Sequence, residues 1–171
     1  MLDLLLNDLI EYTQTNRKTF GVSYGPVDVA KICDSTLQSL QFAQSKSKQV
    51  HLQNELPDGF TINSDARRIQ QILTHLLFYG VQFASSDELL LSAKLNAGAL
   101  ELAVVDPNSS MSGMKELPVY VKDTLNDPDV DDLGVRIELC RRMAYLLGGC
   151  IYIDTQSKDG VRIVLQIQNI L

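Results

Sequence analysis

Two side chains four residues apart, His75 and Tyr79, carry the first chemistry legible in the chain. They lie in the run THLLFYGVQF, where helical spacing puts them on one face. An imidazole beside a phenol suggests a metal ligand pair or an acid–base couple. Two residues do not make a ligand set, however, and a filled, inert pocket accounts for the pair better. His51 is the only other histidine, and Cys33, Cys140 and Cys150 are too widely spaced for a zinc pattern. Asp106, just before Pro107, closes an apolar run and by itself reads as an Asp-Pro turn.

The element that positions His75 and Tyr79 spans residues 65–83. Ile69, Ile72, Leu73, Leu76 and Val81, with the small Gly80, recur at helical spacing. Asp65 stands where a side-chain acceptor caps a helix start. Before it, residues 22–29 read as a short strand entering a helix over 28–46, with Asp28 as N-cap. Strands over 50–56 and 60–63 follow, separated by the turn Pro57-Asp58-Gly59. Residues 88–96 and 99–105 form a hairpin about Ala97-Gly98, with Leu100, Leu102 and Val104 on one face and Glu101 and Ala103 on the other. Residues 107–130 hold three prolines and the cluster Asn108-Ser109-Ser110-Met111-Ser112-Gly113. They read as a long loop, of the kind that forms a lid. A third helix over 132–147 ends at Gly148-Gly149, and two strands, 150–155 and 161–168, close the chain.

Residues 2–17 read as a further helix with an a/d-like seam of Leu2, Leu5, Leu9 and Tyr12, which wants a partner. The order of elements predicts an α+β fold. In it, three helices cover one face of a mixed, mostly antiparallel sheet in a two-layer sandwich, preceded by the N-terminal helix.

The chain has 171 residues and a net charge of −6. That charge argues against a broad nucleic-acid surface. Lys46 and Lys48 read as a solvated helix end. The cysteines, set in apolar runs, read as buried thiols in a reducing compartment. No apolar run reaches the roughly 18 residues of a membrane span, and the leucine-rich start lacks the basic region of a signal peptide. These features predict a cytoplasmic location with no membrane contact by this segment, or the cytoplasmic part of a larger, membrane-anchored protein.

The order of residues in 65–83 resembles the asparagine box of sensor histidine kinases, D-x-x-R-x-x-Q-x-L-x-N-L-L-x-N-A-x-K-F. Asp65, Arg68, Gln71, Leu73, Leu76, Leu77 and Phe83 match it. His75 and Tyr79 stand at the two asparagines, and Gln82 stands at the lysine. The element order over about residues 25–171 likewise resembles the Bergerat-type ATP-binding fold shared by histidine kinases and DNA gyrase. Residues 1–20 resemble the end of the kinase dimerisation hairpin, leaving 22–171 as the ATP-binding, catalytic-type domain.

The resemblance implies a site for ATP and Mg²⁺. Asp106 matches the adenine-reading aspartate of the D-x-G-x-G box, whose glycines are Asn108 and Ser110 here. The second glycine box becomes Asp132-Leu133-Gly134-Val135-Arg136-Ile137: Gly134 remains, Arg136 offers a compensating charge, and Asp132 repels phosphate. A phenol at Tyr79 is a poor magnesium ligand beside a carboxamide. Two readings follow. One is a degenerate kinase domain in two-component signalling, a pseudokinase module. It would be dimeric through the N-terminal helix, with a response regulator or partner kinase as its target. The other is a working kinase that binds Mg-ATP and phosphorylates a histidine outside this chain. An ATPase or anti-sigma-type regulator is a third and weaker reading.

Overall fold

The computed structural model describes residues 21–41, 48–107 and 132–168. The predicted 2–17 helix, the 107–130 loop beyond Pro107 and the end of the 28–46 helix lie outside them. The described chain runs β1 (Gly25–Asp28), α1 (Val29–Gln41), β2 (Gln49–Asn54), β3 (Thr61–Ser64), α2 (Ala66–Phe83), β4 (Glu88–Asn96), β5 (Ala99–Asp106), α3 (Asp132–Leu146), β6 (Gly149–Asp154) and β7 (Val161–Ile167).

Five strands form one sheet in the order β2-β4-β5-β7-β6. β2 runs parallel to β4, and the other neighbours are antiparallel. β1 and β3 pair separately, with Gly25 opposite Ser64. The architecture is the predicted α+β arrangement of a mixed sheet and three helices. Local signals mark one start and one stop among these helices. Asp28 accepts from Lys31 N–H at 3.1 Å and caps α1, while Gly148, at φ +73°, ends α3.

The main core lies between helices and sheet. Ile69, Ile72, Leu73, Leu76 and Leu77 of α2 meet Leu91, Leu102, Val104, Ile163 and Leu165 of the sheet, with Ile137, Leu139 and Met143 from α3. On the opposite face, Ala103, Val105 and Val164 form a smaller buried cluster with Leu90 and Tyr152. An ion pair crosses this face, with Arg162 Nη2 2.7 Å from Oε2 of Glu101. Asn96 and the Tyr152 hydroxyl also donate to Glu101, at 2.9 and 3.4 Å. Alternation along β5 separates its two faces as expected, yet every residue of β5 is buried. The charge on Glu101 tolerates burial because it is paired.

One buried-thiol expectation is corrected. Cys33 and Cys140 are buried, but Cys150 is exposed. Strand alternation in β6 points Ile151 into the core and Cys150 away from it.

Candidate functional site

The matched residues of the α2 motif do structural work. Asp65 Oδ1 accepts from Arg68 N–H at 3.1 Å, capping the helix. Arg68 Nη1 donates to Oε1 of Gln71 at 3.0 Å, one turn along. The D-x-x-R-x-x-Q spacing is therefore a cap followed by a surface pair.

The unmatched residues sit further along the same helix. His75 and Tyr79 are both buried, at 3% exposure each. Tyr79 belongs to the main apolar core and packs its ring on Phe83, with centroids 4.8 Å apart. Phe83 is itself 44% exposed, so this ring pair runs from the core to the surface. Gln82 is exposed. Gly80 allows α2 to lie on β5, since a Cβ there would stand 2.6 Å from Cγ1 of Val104.

Asp106 ends β5 and is fully buried. Its Oδ2 accepts from Ser85 N–H at 2.9 Å and from the Ser85 hydroxyl at 3.4 Å. Its Oδ1 accepts a hydrogen bond from the Ser86 hydroxyl. The backbone of Asp106 is held from the other side by the β6–β7 turn. A Cβ on Gly160, at φ +102°, would lie 2.1 Å from the Asp106 carbonyl oxygen. The Asp-Pro turn expected at this point is thus a junction of α2, β5 and the last hairpin. Nothing in the sequence pattern marked Ser85 and Ser86 as its donors. The only signal was a pair of hydroxyls directly after a helix end.

Gly134 falls in the first turn of α3, and Arg136 is half-buried two residues on. α3 packs along α2. The start of α2 and the end of α3 are bonded to the adjacent residues Ser23 and Tyr24. His75, Tyr79 and Gln82 thus share α2, Asp106 is tied to the residues after α2 through Ser85 and Ser86, and Gly134 and Arg136 lie near the start of α3. Asn108 and Ser110 lie outside the described residues. Lys48 is corrected: its ammonium donates to the carbonyl of Ala84, closing the C-terminus of α2 rather than ending α1 in solvent.

Among the described residues, no group of three or more His, Cys, Asp or Glu is placed to hold a metal. A magnesium site would rest on oxygen ligands. The buried phenol of Tyr79 and the carboxylate of Asp106, already bonded to two serines, fit that role poorly. No described helix is long and apolar enough to cross a membrane.

No family model matches the chain. In sequence it is similar to the aerobic respiration control sensor protein ArcB of Escherichia coli K12. The two are 25% identical over 171 residues, covering 95% of this chain and 22% of that protein. Among solved structures, the histidine kinase AdeS of Acinetobacter baumannii superposes with a TM-score of 0.70 at 17% identity, covering 98% of this chain and 78% of that one. The fold is that of the histidine kinase catalytic domain. ShkA, solved full-length in complex with AMPPNP, matches with a TM-score of 0.67 at 20% identity, over 95% of this chain and 35% of that one. Histidine kinase ThkA, solved with the response regulator protein TrrA, matches with a TM-score of 0.66 at 15% identity, over 97% and 46%. The chain thus spans about a fifth of the length of ArcB.

Proposed function

We propose that this chain is the ATP-binding-type domain of a sensor histidine kinase in two-component signalling, with a nucleotide site filled from within. On this reading residues 22–171 are the catalytic-type domain. Residues 1–20 are the end of a dimerisation helix through which two copies associate, in the cytoplasm. The domain acts as a signalling and interaction module toward a response regulator or a partner kinase. ThkA supports that choice of partner, as a fold neighbour solved with one.

The burial of Tyr79 carries the reading. At the position of the magnesium-holding asparagine, its phenol ring is packed into the core at 3% exposure. A packed ring resists displacement, because cores are filled to crystal-like density. Asp106, at the position of the adenine-reading carboxylate, already accepts from two serines. Calorimetric titration of the chain with Mg-ATP tests the reading. Silence up to millimolar nucleotide is expected, and micromolar binding overturns it.

One observation favours the alternative of a working kinase. Asp106 keeps its place at the end of β5, and a carboxylate oxygen accepts more than one hydrogen bond. That alternative predicts Mg-ATP binding in the same titration, and phosphate transfer to a histidine on a separate acceptor helix.

A further inference from the structure

β6 ends the five-stranded sheet, and among the described residues its only strand partner is β7. The register shows which of its backbone groups are occupied. Ala97-Gly98 is a two-residue turn with both φ angles positive, so Asn96 and Ala99 form a hydrogen-bonded pair. Such pairs alternate along each antiparallel ladder. Carried across β5 and β7, the alternation makes Cys150–Gln166, Tyr152–Val164 and Asp154–Arg162 the hydrogen-bonded pairs of β6. The next rung agrees, since Gln168 N–H donates to the Gly148 carbonyl at 3.2 Å. The backbone groups of Gly149, Ile151 and Ile153 therefore point away from β7, to the open edge.

That edge lacks the usual guards against pairing. β6 reads Gly-Cys-Ile-Tyr-Ile-Asp, with no lysine and no proline. Its only charged residue, Asp154, ends the strand and lies 3.6 Å from Arg162. Ile151 and Ile153 face the main core, Ile153 only partly covered. Cys150 is exposed, and Tyr152 packs partly covered on the opposite face. α3 packs on β6, and its last residues, Tyr145 at 79% exposure and Leu146 at 38%, lead directly into the strand. The start of the edge is therefore apolar on its helical side as well.

We propose that β6 pairs antiparallel with β6 of a second copy of this chain, about a two-fold axis at Ile151, joining two sheets into one. The strand is complementary to itself in this register. Gly149, Ile151 and Ile153 of one copy meet Ile153, Ile151 and Gly149 of the other, so every open residue finds its partner within the strand. A shift of two residues either way sets an open residue against Thr155 or Leu147, outside β6. Large side chains meet small ones, with Ile153 opposite Gly149 on one face and Tyr152 opposite Cys150 on the other. Asp154 falls opposite Gly148, so no like charges are opposed. A contact of this kind uses the same patch on both copies and closes at two. It is separate from association through residues 1–20 and independent of whether the site accepts a nucleotide.

Hydrogen exchange on the unaltered 171-residue chain reads the pairing directly. In a single copy the Ile151 and Ile153 amides have no strand partner, whereas those of Cys150 and Tyr152 are bonded to β7. Raising the concentration from about 10 μM to about 1 mM should slow exchange at Ile151 and Ile153 about ten-fold, with little change at Cys150 and Tyr152. Association through residues 1–20 alone leaves all four rates as they were. Unprotected Ile151 and Ile153 amides at both concentrations overturn the pairing. Tyr152→Cys then tests the register, because it sets a thiol opposite Cys150 of the second copy. Mild oxidation should give a disulfide-linked dimer on a non-reducing gel, and adding Cys150→Ser should abolish it. Lys158→Cys, on the exposed β6–β7 turn, is the control and should stay uncross-linked. A folded Tyr152→Cys chain that does not cross-link, or a cross-link that survives Cys150→Ser, also overturns the proposal.

Discussion

Ser85 and Asp106 are joined across 21 positions by a hydrogen bond of 2.9 Å from the Ser85 N–H to Oδ2 of a fully buried carboxylate. With Ser86 on the other oxygen, this bond fastens the exit of α2 to the end of β5. Asp106→Ala should therefore cost stability, about 1–3 kcal/mol, since it leaves the buried Ser86 hydroxyl and the Ser85 N–H without their acceptor. Asp106→Asn, which keeps one acceptor oxygen, should cost less. Urea denaturation measures both. An Asp106→Ala variant as stable as the parent would assign the carboxylate to a ligand rather than to the fold.

Installing the residues of the resembled kinase boxes tests the proposed filled site directly. The combined change Tyr79→Asn, Gln82→Lys, Asn108→Gly, Ser110→Gly and Asp132→Gly should bring Mg-ATP binding toward the micromolar range, which needs about 8 kcal/mol. Tyr79→Asn also removes a core ring, so a loss of about 3 kcal/mol or more in stability is expected with it. Circular dichroism establishes folding before calorimetry is read. A folded variant without binding would mean that the pocket itself has closed.

The helix–sheet contact at Gly80 leaves no room for a methyl group. A Cβ would stand 2.6 Å from Val104 Cγ1, so Gly80→Ala should destabilise by about 1–3 kcal/mol through overpacking. Adding Val104→Ala should recover part of that loss. Additive costs in the double variant, read from denaturant midpoints, would place the strain elsewhere.

The ion pair on the far face of the sheet predicts an acid limb. Burial raises the Glu101 carboxyl, but the Asn96 hydrogen bond and Arg162 outweigh it and hold the group below the usual range. The folded state therefore binds fewer protons than the unfolded one. The pair's contribution is fully present above about pH 4.3, the ordinary glutamate value, and is lost as pH falls below it. Arg162→Met should cost about 3–5 kcal/mol at pH 7 by stranding a buried charge. It should also flatten the acid limb of stability against pH. An unchanged limb would remove Glu101 from the account.

The three thiols should separate by reactivity. Burial, with the nearby Asp34 charge, pushes the Cys33 thiol up to about 12, and Cys140 is also buried. Cys150 is exposed. A thiol reagent at pH 8 should label Cys150 alone in the folded chain and all three in urea. Equal labelling of Cys33 in the folded chain would contradict its burial.

Much of the fold was legible because its signals act over short separations. The apolar stripe of 69–81, the Asp65 cap, the Ala97-Gly98 hairpin and the alternation of β7 each depend on residues one to four apart. Periodicity and capping act at that range. The ordered matches in 65–83 pointed to the kinase-type fold for the same reason, since they encode one helix and its start. What only the tertiary structure decided involves partners far apart in sequence. Ser86 meets Asp106, Glu101 meets Arg162 and Tyr24 meets Leu146 at separations of 20, 61 and 122 positions. Alternation put Glu101 on the face away from the helices. Only the register that sets β5 against β7 brought Arg162 near enough for that charge to be buried. The same holds for the candidate site. Residue types at 75, 79 and 82 depart from the asparagine-box pattern that the run resembles, but whether Tyr79 fills the core or lines an opening depends on how closely α2 lies on β5. That closeness is set by Gly80 against Val104, a contact between elements that no local pattern encodes.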